Sequence, residues 1–91
     1  MDKKRNKLEI IQNILLVIRE RNGKIKPTHI SYKSNLSYSM MEQYMDDLIS
    51  KELIREIKLK KGKTYEITDK GHSYLSKYNI IKDFMESFGL D

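Results

Sequence analysis

Residues 36–54, LSYSMMEQYMDDLISKELI, combine a helix start, an amphipathic helix and the beginning of a strand. Ser37 is a suitable N-cap because its hydroxyl can accept a hydrogen bond from the first turn, and Ser39 followed by Glu42 offers an alternative start. Apolar residues then recur at intervals of four and three, which predicts one buried helical face formed by Met41, Met45 and Leu48. We therefore expect a helix that ends near residue 51, with polar outer positions at Tyr38, Ser39, Glu42, Gln43 and Asp46.

Two further helices are predicted before this one. Residues 8–21 are rich in apolar side chains on more than one side, and Asn22-Gly23 ends the helix because glycine accepts the left-handed conformation that follows a helix end. Pro27 suits the first turn of a second helix over residues 27–34, since its missing N–H has no partner there in any case. Ile30 is the clearest inward-facing residue of that helix.

The residues after the third helix predict a β-hairpin. The apolar pattern changes from helical to alternating, and we expect Ile57 and Leu59 to share an apolar face with Tyr65 and Ile67 on the returning strand. The sequence KKGK at residues 60–63 predicts a short basic loop with a glycine available for a positive φ angle.

The last predicted helix covers residues 69–88, with Thr68 as its cap and Gly89 after its end. Alternating intervals of four and three define a coiled-coil seam of barely two heptads: Tyr74, Tyr78, Ile81, Met85 and Phe88. Ile80 and Phe84 widen this apolar surface beyond what one small domain readily covers. We therefore predict homodimerisation through this helix, with packing inside a monomer as the alternative.

Length and composition restrict the class of protein. Ninety-one residues fit one small domain whose core is marginal without a second copy, and the absence of cysteine excludes disulfides and cysteine-ligated metal sites. The longest apolar stretch, residues 10–18, is interrupted by Gln12 and Asn13 and is shorter than the ~20 residues of a membrane-spanning helix. Arg19, Glu20 and Arg21 follow it where an export signal would have small residues. We expect a cytoplasmic protein without a membrane segment.

Basic charge is concentrated in two places. The formal net charge is +5 and the pI is about 9.4. Residues 1–7 contain four basic residues and one acidic residue, residues 52–64 contain five and two, and residues 65–91 contain three and five. This distribution is expected of a nucleic-acid-binding protein, although ordinary soluble proteins show it too.

Candidate DNA contacts follow from the predicted elements. The hairpin lysines Lys60, Lys61 and Lys63 are the best candidates for phosphate contacts, and a solubilising turn is their alternative interpretation. Lesser candidates are Lys33, which approaches the third helix, and the arm residues Lys3, Lys4 and Arg5. Base edges or sugar-phosphate oxygens would be met by Ser37, Tyr38, Ser39 and Gln43, of which Gln43 suits bidentate recognition of adenine. An ordinary polar helix surface explains the same four residues.

No pattern of catalytic or metal-binding residues stands out. His29 and His72 lie in different elements without carboxylates at ligand spacing, so neither a metal site nor a catalytic base is expected. Glu42, Asp46 and Asp47 diverge around a helix and lack an accompanying nucleophile. The isolated glycines form no phosphate-binding loop. We expect no enzyme, no cofactor and no small-molecule ligand.

Several motifs together resemble one family. Leu36-Ser37-Tyr38, Tyr44-Met45, Leu53-Ile54, GKTYEITDKG at residues 62–71 and KLEIIQNIL at residues 7–15 are similar to the archaeal winged-helix proteins of the ten-kilodalton 10a type. The resemblance implies a DNA-binding dimer held together by its C-terminal helix, with the third helix in the major groove and the hairpin on the DNA backbone. Two features depart from that family: the C-terminal helix is short, and the outer side of the third helix is acidic.

The sequence therefore predicts an α+β, mainly helical fold: a winged helix-turn-helix with a three-helix core, a β-hairpin wing and an extra C-terminal helix. Residues 1–7 would form a basic mobile arm, residues 8–68 the winged domain, and residues 69–91 the dimerisation helix. The predicted function is binding of double-stranded DNA by a homodimer that regulates transcription or organises DNA. The alternative, motivated by the acidic third helix, is a protein-interaction module that does not bind DNA.

Overall fold

A computed structural model describes residues 5–89 of the chain. Its elements, in chain order, are α1 (Lys7–Glu20), α2 (Pro27–Lys33), α3 (Tyr38–Ser50), β1 (Ile54–Lys58), β2 (Lys63–Ile67) and α4 (Asp69–Ser87). Strands β1 and β2 form an antiparallel hairpin. This order confirms the predicted α+β fold, a three-helix unit followed by a hairpin wing and an extra helix.

Local hydrogen bonds fix the helix starts. The Ser37 hydroxyl accepts from the Met40 amide at 3.1 Å, and the Thr68 hydroxyl accepts from the Gly71 amide at 3.1 Å, so both predicted caps are confirmed. Asn6 forms a capping box with Glu9 at the start of α1. Asn6 is thus the cap of α1 and Lys7 its first residue. Residues 1–4 of the predicted mobile arm lie outside the described residues.

One hydrophobic core joins the elements. The inward faces predicted for α2 and α3 are confirmed, since Ile30, Met41, Met45 and Leu48 are all buried. Packed with these residues are buried side chains from the other helices, the hairpin and the segment between α1 and α2: Ile10, Ile11, Ile14, Leu15, Ile18, Ile25, Leu53, Ile54, Tyr65, Ile67 and Leu75. The core thereby fixes α3 and the hairpin on a common support.

The hairpin register corrects the predicted strand faces. Ile57 pairs with Thr64 and Glu56 with Tyr65, so Ile57 lies on the face opposite to Tyr65 rather than beside it. Leu59 belongs to neither strand and is exposed. The β1 residue that continues the apolar face is Ile54, which pairs with Ile67. Alternation within one strand identifies residues that share a face, but the partner strand decides which face is buried.

A third segment completes the sheet edge. Ile25 forms an antiparallel bridge with Tyr65, and the Gly23 amide donates to the Tyr65 carbonyl at 2.8 Å. The Asn22 side chain accepts from the Ile67 amide at 2.7 Å. Gly23 has a φ of 78°, as expected for the residue that reverses the chain after α1. The α1–α2 connection therefore covers the outer edge of β2.

Helix α4 leaves the hairpin and packs on α1 along its first half. Leu75 is buried, and the Tyr74 hydroxyl donates to the Leu8 carbonyl at 3.2 Å. Tyr74 also stacks on Tyr78 with ring centroids 6.4 Å apart. Beyond these residues the helix extends past the core with four large apolar side chains exposed: Ile80, Ile81, Phe84 and Phe88.

Candidate nucleic-acid interface

The turn between α2 and α3 holds the outer face of α3 in position. The Ser31 hydroxyl donates to the Leu36 carbonyl at 2.7 Å, and Asn35 adopts a φ of 55°, a left-handed value that asparagine tolerates. With Met41 and Met45 buried beneath, the opposite side of the helix faces solvent. Helix α3 is thus held by the core on one side and offers a polar face on the other.

The predicted base-reading residues lie on this face. Tyr38 is 44% exposed, and Ser39 and Gln43 are exposed one and five positions further along the helix. The hydroxyl of Ser37 caps the helix, so it already accepts a hydrogen bond within the protein. Tyr38, Ser39 and Gln43 therefore have the freest polar groups of the four candidates.

The three acids of α3 differ in their surroundings. Asp47 accepts a hydrogen bond from Lys51 and lies 3.9 Å from the ammonium of Lys7. The bond from Lys51 lowers the pKa of Asp47 below its ordinary value, and the charge of Lys7 adds to that shift. Glu42 and Asp46 are exposed, and neither forms an ion pair within residues 5–89. The uncompensated negative charge of α3 is therefore carried by two residues.

The wing exposes its basic residues unequally. Lys60 and Lys61 lie at the turn, where the Leu59 amide donates to the Gly62 carbonyl at 3.0 Å and Gly62 adopts a φ of 88°. Lys63 lies inside β2 rather than in the loop, and its ammonium is 3.5 Å from the Glu56 carboxylate. Two of the three predicted wing lysines thus make no ion pair with any described residue, whereas the third is paired.

The remaining basic candidates are held by contacts within the chain. The ammonium of Lys33 lies 3.7 Å from the Glu20 carboxylate. Arg5 donates to the Asn35 carbonyl at 3.1 Å, which ties the start of the described chain to the α2–α3 turn. Lys3 and Lys4 lie outside the described residues. Lys33 is the last residue of α2 and Arg5 contacts the α2–α3 turn, so both lie before the start of α3.

Sequence reasoning missed two residues of the wing. Lys58 directly opposes Lys63 across the hairpin, and Glu56 lies one pleat away on the same face. We expected Ile57 and Leu59 to share a face with Tyr65, which would place Glu56 and Lys58 on the opposite face from Tyr65. The signal that could have revealed Lys58 and Glu56 is the position of the turn, from which the register follows.

The predicted seam of α4 divides into two parts. Tyr74 and Tyr78 are half-buried within the chain, and Met85 is also partly buried. Ile81 is 58% and Phe88 65% exposed. Ile80 and Phe84, which the seam does not include, are exposed beside them, and the Phe84 ring lies 4.7 Å from that of Phe88. The exposed apolar surface of α4, defined here as Ile80, Ile81, Phe84 and Phe88, is therefore confined to its C-terminal half.

Two other structural features are absent from residues 5–89. No three histidine or acidic side chains in this part of the chain converge on a position where they could hold a metal ion. No helix within the same residues is long and apolar enough to cross a membrane. The candidate site is therefore the solvent-facing polar side of α3 together with a hairpin that has a basic tip.

Comparison of the sequence with known proteins identifies a family and a relative. The profile of the winged helix-turn-helix family matches residues 4–86. An uncharacterized protein of Methanocaldococcus jannaschii, MJ0287, is 33% identical over 84 residues, which covers 92% of this chain and 80% of that protein.

Solved structures with the same fold include two described as DNA-binding or DNA-bound. Sso10a-2, a DNA-binding protein from Sulfolobus solfataricus, has a TM-score of 0.76 at 24% identity, over 92% of this chain and 85% of that one. Streptococcus pneumoniae FabT, solved in complex with DNA, has a TM-score of 0.66 at 15% identity, over 91% and 59% of the two chains. The similarity to Sso10a-2 agrees with the resemblance to the archaeal 10a type that the sequence motifs indicate.

Proposed function

The chain belongs to the winged helix-turn-helix family, and from this premise we propose that it binds double-stranded DNA as a small transcriptional regulator or DNA-organising protein. The observation that carries the proposal is the exposed polar face of α3 beside a wing whose tip bears two exposed lysines, Lys60 and Lys61. Sso10a-2 and FabT share the fold and are described as DNA-binding and DNA-bound, which supports the same assignment. A chromosome-associated location follows from the proposal.

The proposed mechanism is occupancy of DNA rather than catalysis. Helix α3 enters the major groove, where Tyr38, Ser39 and Gln43 meet base edges or sugar-phosphate oxygens. The wing tip neutralises phosphates and so supplies affinity that does not depend on sequence. Because Glu42 and Asp46 repel phosphates, α3 contributes selectivity and the wing contributes most of the attraction.

The wing can be tested by a salt titration. Replacing Lys60 and Lys61 by alanine removes two candidate phosphate contacts, so affinity for random duplex should fall at every salt concentration. The slope of log affinity against log salt should flatten by about 0.9 for each phosphate that is no longer neutralised. Fluorescence anisotropy with a labelled duplex measures both quantities.

The matched control removes the same charge elsewhere. Lys77 and Lys82 are exposed on α4, eight or more residues after the helix starts at the wing. Alanine at these two positions should leave the slope unchanged. Equal slopes for the two double variants would contradict the assignment of the wing as the phosphate-binding element.

A second candidate function is a protein-interaction module, which the exposed acids Glu42 and Asp46 favour. Negative charge on the outer face of α3 suits a basic protein partner better than a polyanion. A mobility-shift experiment with random duplex at low salt discriminates the two functions. No binding at micromolar protein would favour the protein partner and exclude the DNA-binding proposal.

We also propose that the functional unit is a homodimer formed through α4. The exposed apolar surface of α4 lies on the part of the helix that extends beyond the core. A second copy of the chain can cover it by symmetric packing. The predicted seam of Tyr74, Tyr78, Ile81, Met85 and Phe88 overlaps this surface at its C-terminal half. The burial of Tyr74 and Tyr78 within the protomer favours a main contact at Ile81 and beyond.

Substitution on two faces of α4 tests the dimer. Aspartate at Ile81 and Met85 should give monomers in sedimentation velocity experiments, because two buried charges would oppose association. Aspartate at Ser76 and Asn79 adds the same charge to exposed polar positions of α4 and should preserve the dimer. A wild-type mass equal to that of the Ile81 and Met85 variant would refute the proposal.

A further inference from the structure

The side chains around Lys63 form a small charged group on one face of the hairpin. Directly opposed residues of an antiparallel pair share a face, so Lys58 and Lys63 lie side by side, and Glu56 with Tyr65 occupies the next pair on that face. Two like charges placed opposite each other destabilise a hairpin. The Glu56 carboxylate, 3.5 Å from the Lys63 ammonium, offsets this repulsion.

This group lies on the hairpin face that packs into the core, since Ile54, Tyr65 and Ile67 of the same face are buried. Tyr65 is buried in the core, and its burial is the main cause that raises the pKa of its hydroxyl. Lys63 and Glu56 lie at the end of that face nearest the turn of the hairpin, where the wing would meet phosphates under the proposed function.

The pair is exposed enough to exchange partners. The Lys63 side chain is 42% exposed and that of Glu56 is 26% exposed. An ion pair in contact with solvent is worth little, so a DNA phosphate with several accessible oxygens can replace the carboxylate as the partner of Lys63. Lys60 and Lys61 at the tip, which make no ion pair within residues 5–89, have no such competition to overcome.

We propose that Glu56 is an internal competitor for phosphate, which holds Lys63 in the free protein and lowers the affinity of the wing for DNA. The inference rests on the proposed function and adds to it a residue that opposes binding. Glu56 acts through Lys63 as a positioning residue. Its role explains why a carboxylate lies on the same face of the hairpin as Lys58 and Lys63.

The hairpin contains a matched control for this proposal. Glu66 forms an ion pair with Arg55 on the opposite face of the same two strands. Replacing Glu56 or Glu66 by glutamine removes one negative charge from the same element and changes the net charge of the protein equally. A difference in DNA affinity between the two variants therefore comes from the basic residue that each carboxylate contacts, and not from the net charge of the protein.

The experiment measures affinity for a labelled random duplex at several salt concentrations. Glu56→Gln should bind about two- to fivefold more tightly than the wild type, the range expected for release of one exposed ion pair. Its salt dependence should steepen by up to about 0.9 in log-log slope, because Lys63 becomes free to neutralise a phosphate. Glu66→Gln should change neither quantity by as much as half of these amounts.

A double-mutant cycle shows whether the effect passes through Lys63. In a Lys63→Gln background, Glu56→Gln should lose most of its effect, because the side chain that it frees is absent. Equal effects of the Glu56 and Glu66 variants, or an effect of Glu56→Gln that persists without Lys63, would overturn the inference while leaving DNA binding intact.

A measurement without DNA separates this inference from the proposed function. The phenolic charge of Tyr65 is the largest cause that raises the pKa of Lys63, and the Glu56 carboxylate is the next. An NMR titration of the Lys63 side chain should therefore give a lower pKa in Glu56→Gln than in the wild type. An unchanged pKa refutes the pair itself, whereas a lowered pKa without any DNA binding by the wild type refutes the proposed function and, with it, the competitor role.

Discussion

Gly71 offers a sharp test of how α4 joins the wing. The residue lies in the first turn of α4, where alanine is ordinarily favoured over glycine by roughly 1 kcal/mol. At this position, however, a Cβ atom would lie 2.3 Å from the Leu53 carbonyl oxygen and 2.5 Å from Cγ1 of Ile67. Helix propensity therefore predicts that Gly71→Ala raises the free energy of unfolding, whereas packing predicts that it lowers it.

The packing cost should exceed the gain in propensity. The Leu53 carbonyl accepts from the Thr68 amide at 3.2 Å, so it cannot move without loosening the cap of α4. Overpacking of a core costs about 1–3 kcal/mol, and a clash with the backbone belongs at the upper end of that range or above it. After the gain in propensity is subtracted, we expect Gly71→Ala to lower the free energy of unfolding by about 2 kcal/mol. For a domain of this size the midpoint of thermal unfolding should fall by roughly 8–16 °C.

Thermal and urea unfolding followed by circular dichroism measure this decrease in stability. Protein concentration is held constant, because dimerisation would make the midpoint depend on it. Ser76→Ala, at an exposed position of the same helix, is the control and should leave stability unchanged or slightly raised. A Gly71→Ala variant as stable as the wild type would refute the close approach of α4 to the β1 start.

Three further predictions concern single contacts. Asn22→Ala should cost about 1–3 kcal/mol in urea unfolding, because it leaves the partly buried Ile67 amide without the acceptor that now lies at 2.7 Å. Thr64→Val should stabilise the protein by about 1 kcal/mol in the same assay, since the buried Thr64 hydroxyl has no hydrogen-bond partner among residues 5–89. Asp47→Asn tests a lowered pKa: the contribution of the carboxylate is present above its ordinary value of 3.8 and disappears as the pH falls below it, so the stability difference from the wild type should vanish in acid. A difference that is the same at pH 7 and in acid would contradict that sign.

Features fixed by neighbouring residues could be predicted from the sequence. The caps at Ser37 and Thr68, the proline at the start of α2 and the buried face of α3 depend on side chains within one or two turns. Periodicity and capping chemistry operate over that distance, so the helices begin within one residue of their predicted starts. The cap at Asn6 was missed because the predicted α1 began at its first apolar residue, Leu8, two positions after the cap.

Features that depend on distant partners could not be predicted in the same way. The alternation of β1 was clear, but its buried face follows from pairing with β2 and from the turn at Gly62. The same applies to the pairing of Lys63 with Glu56 and to the bridge of Ile25 with Tyr65, since each joins residues whose proximity the register decides. The candidate site was thus predictable as a set of residue types, whereas the division of its lysines into paired and unpaired was not.

The charge balance of the interface connects the two proposals. Within residues 5–89, the wing has three lysines without an ion pair, Lys58, Lys60 and Lys61, and a fourth, Lys63, held by Glu56, while α3 presents the unpaired acids Glu42 and Asp46. A single domain with so few available cations would have much weaker attraction to DNA at moderate salt, because affinity depends on the number of phosphates neutralised. In the proposed dimer, two wings would contact one duplex and that number would double. The Ile81 and Met85 variant should therefore bind DNA more weakly once it is monomeric and show about half the wild-type salt slope. Wild-type affinity and salt slope in a variant shown to be monomeric would mean that a single wing is sufficient for binding.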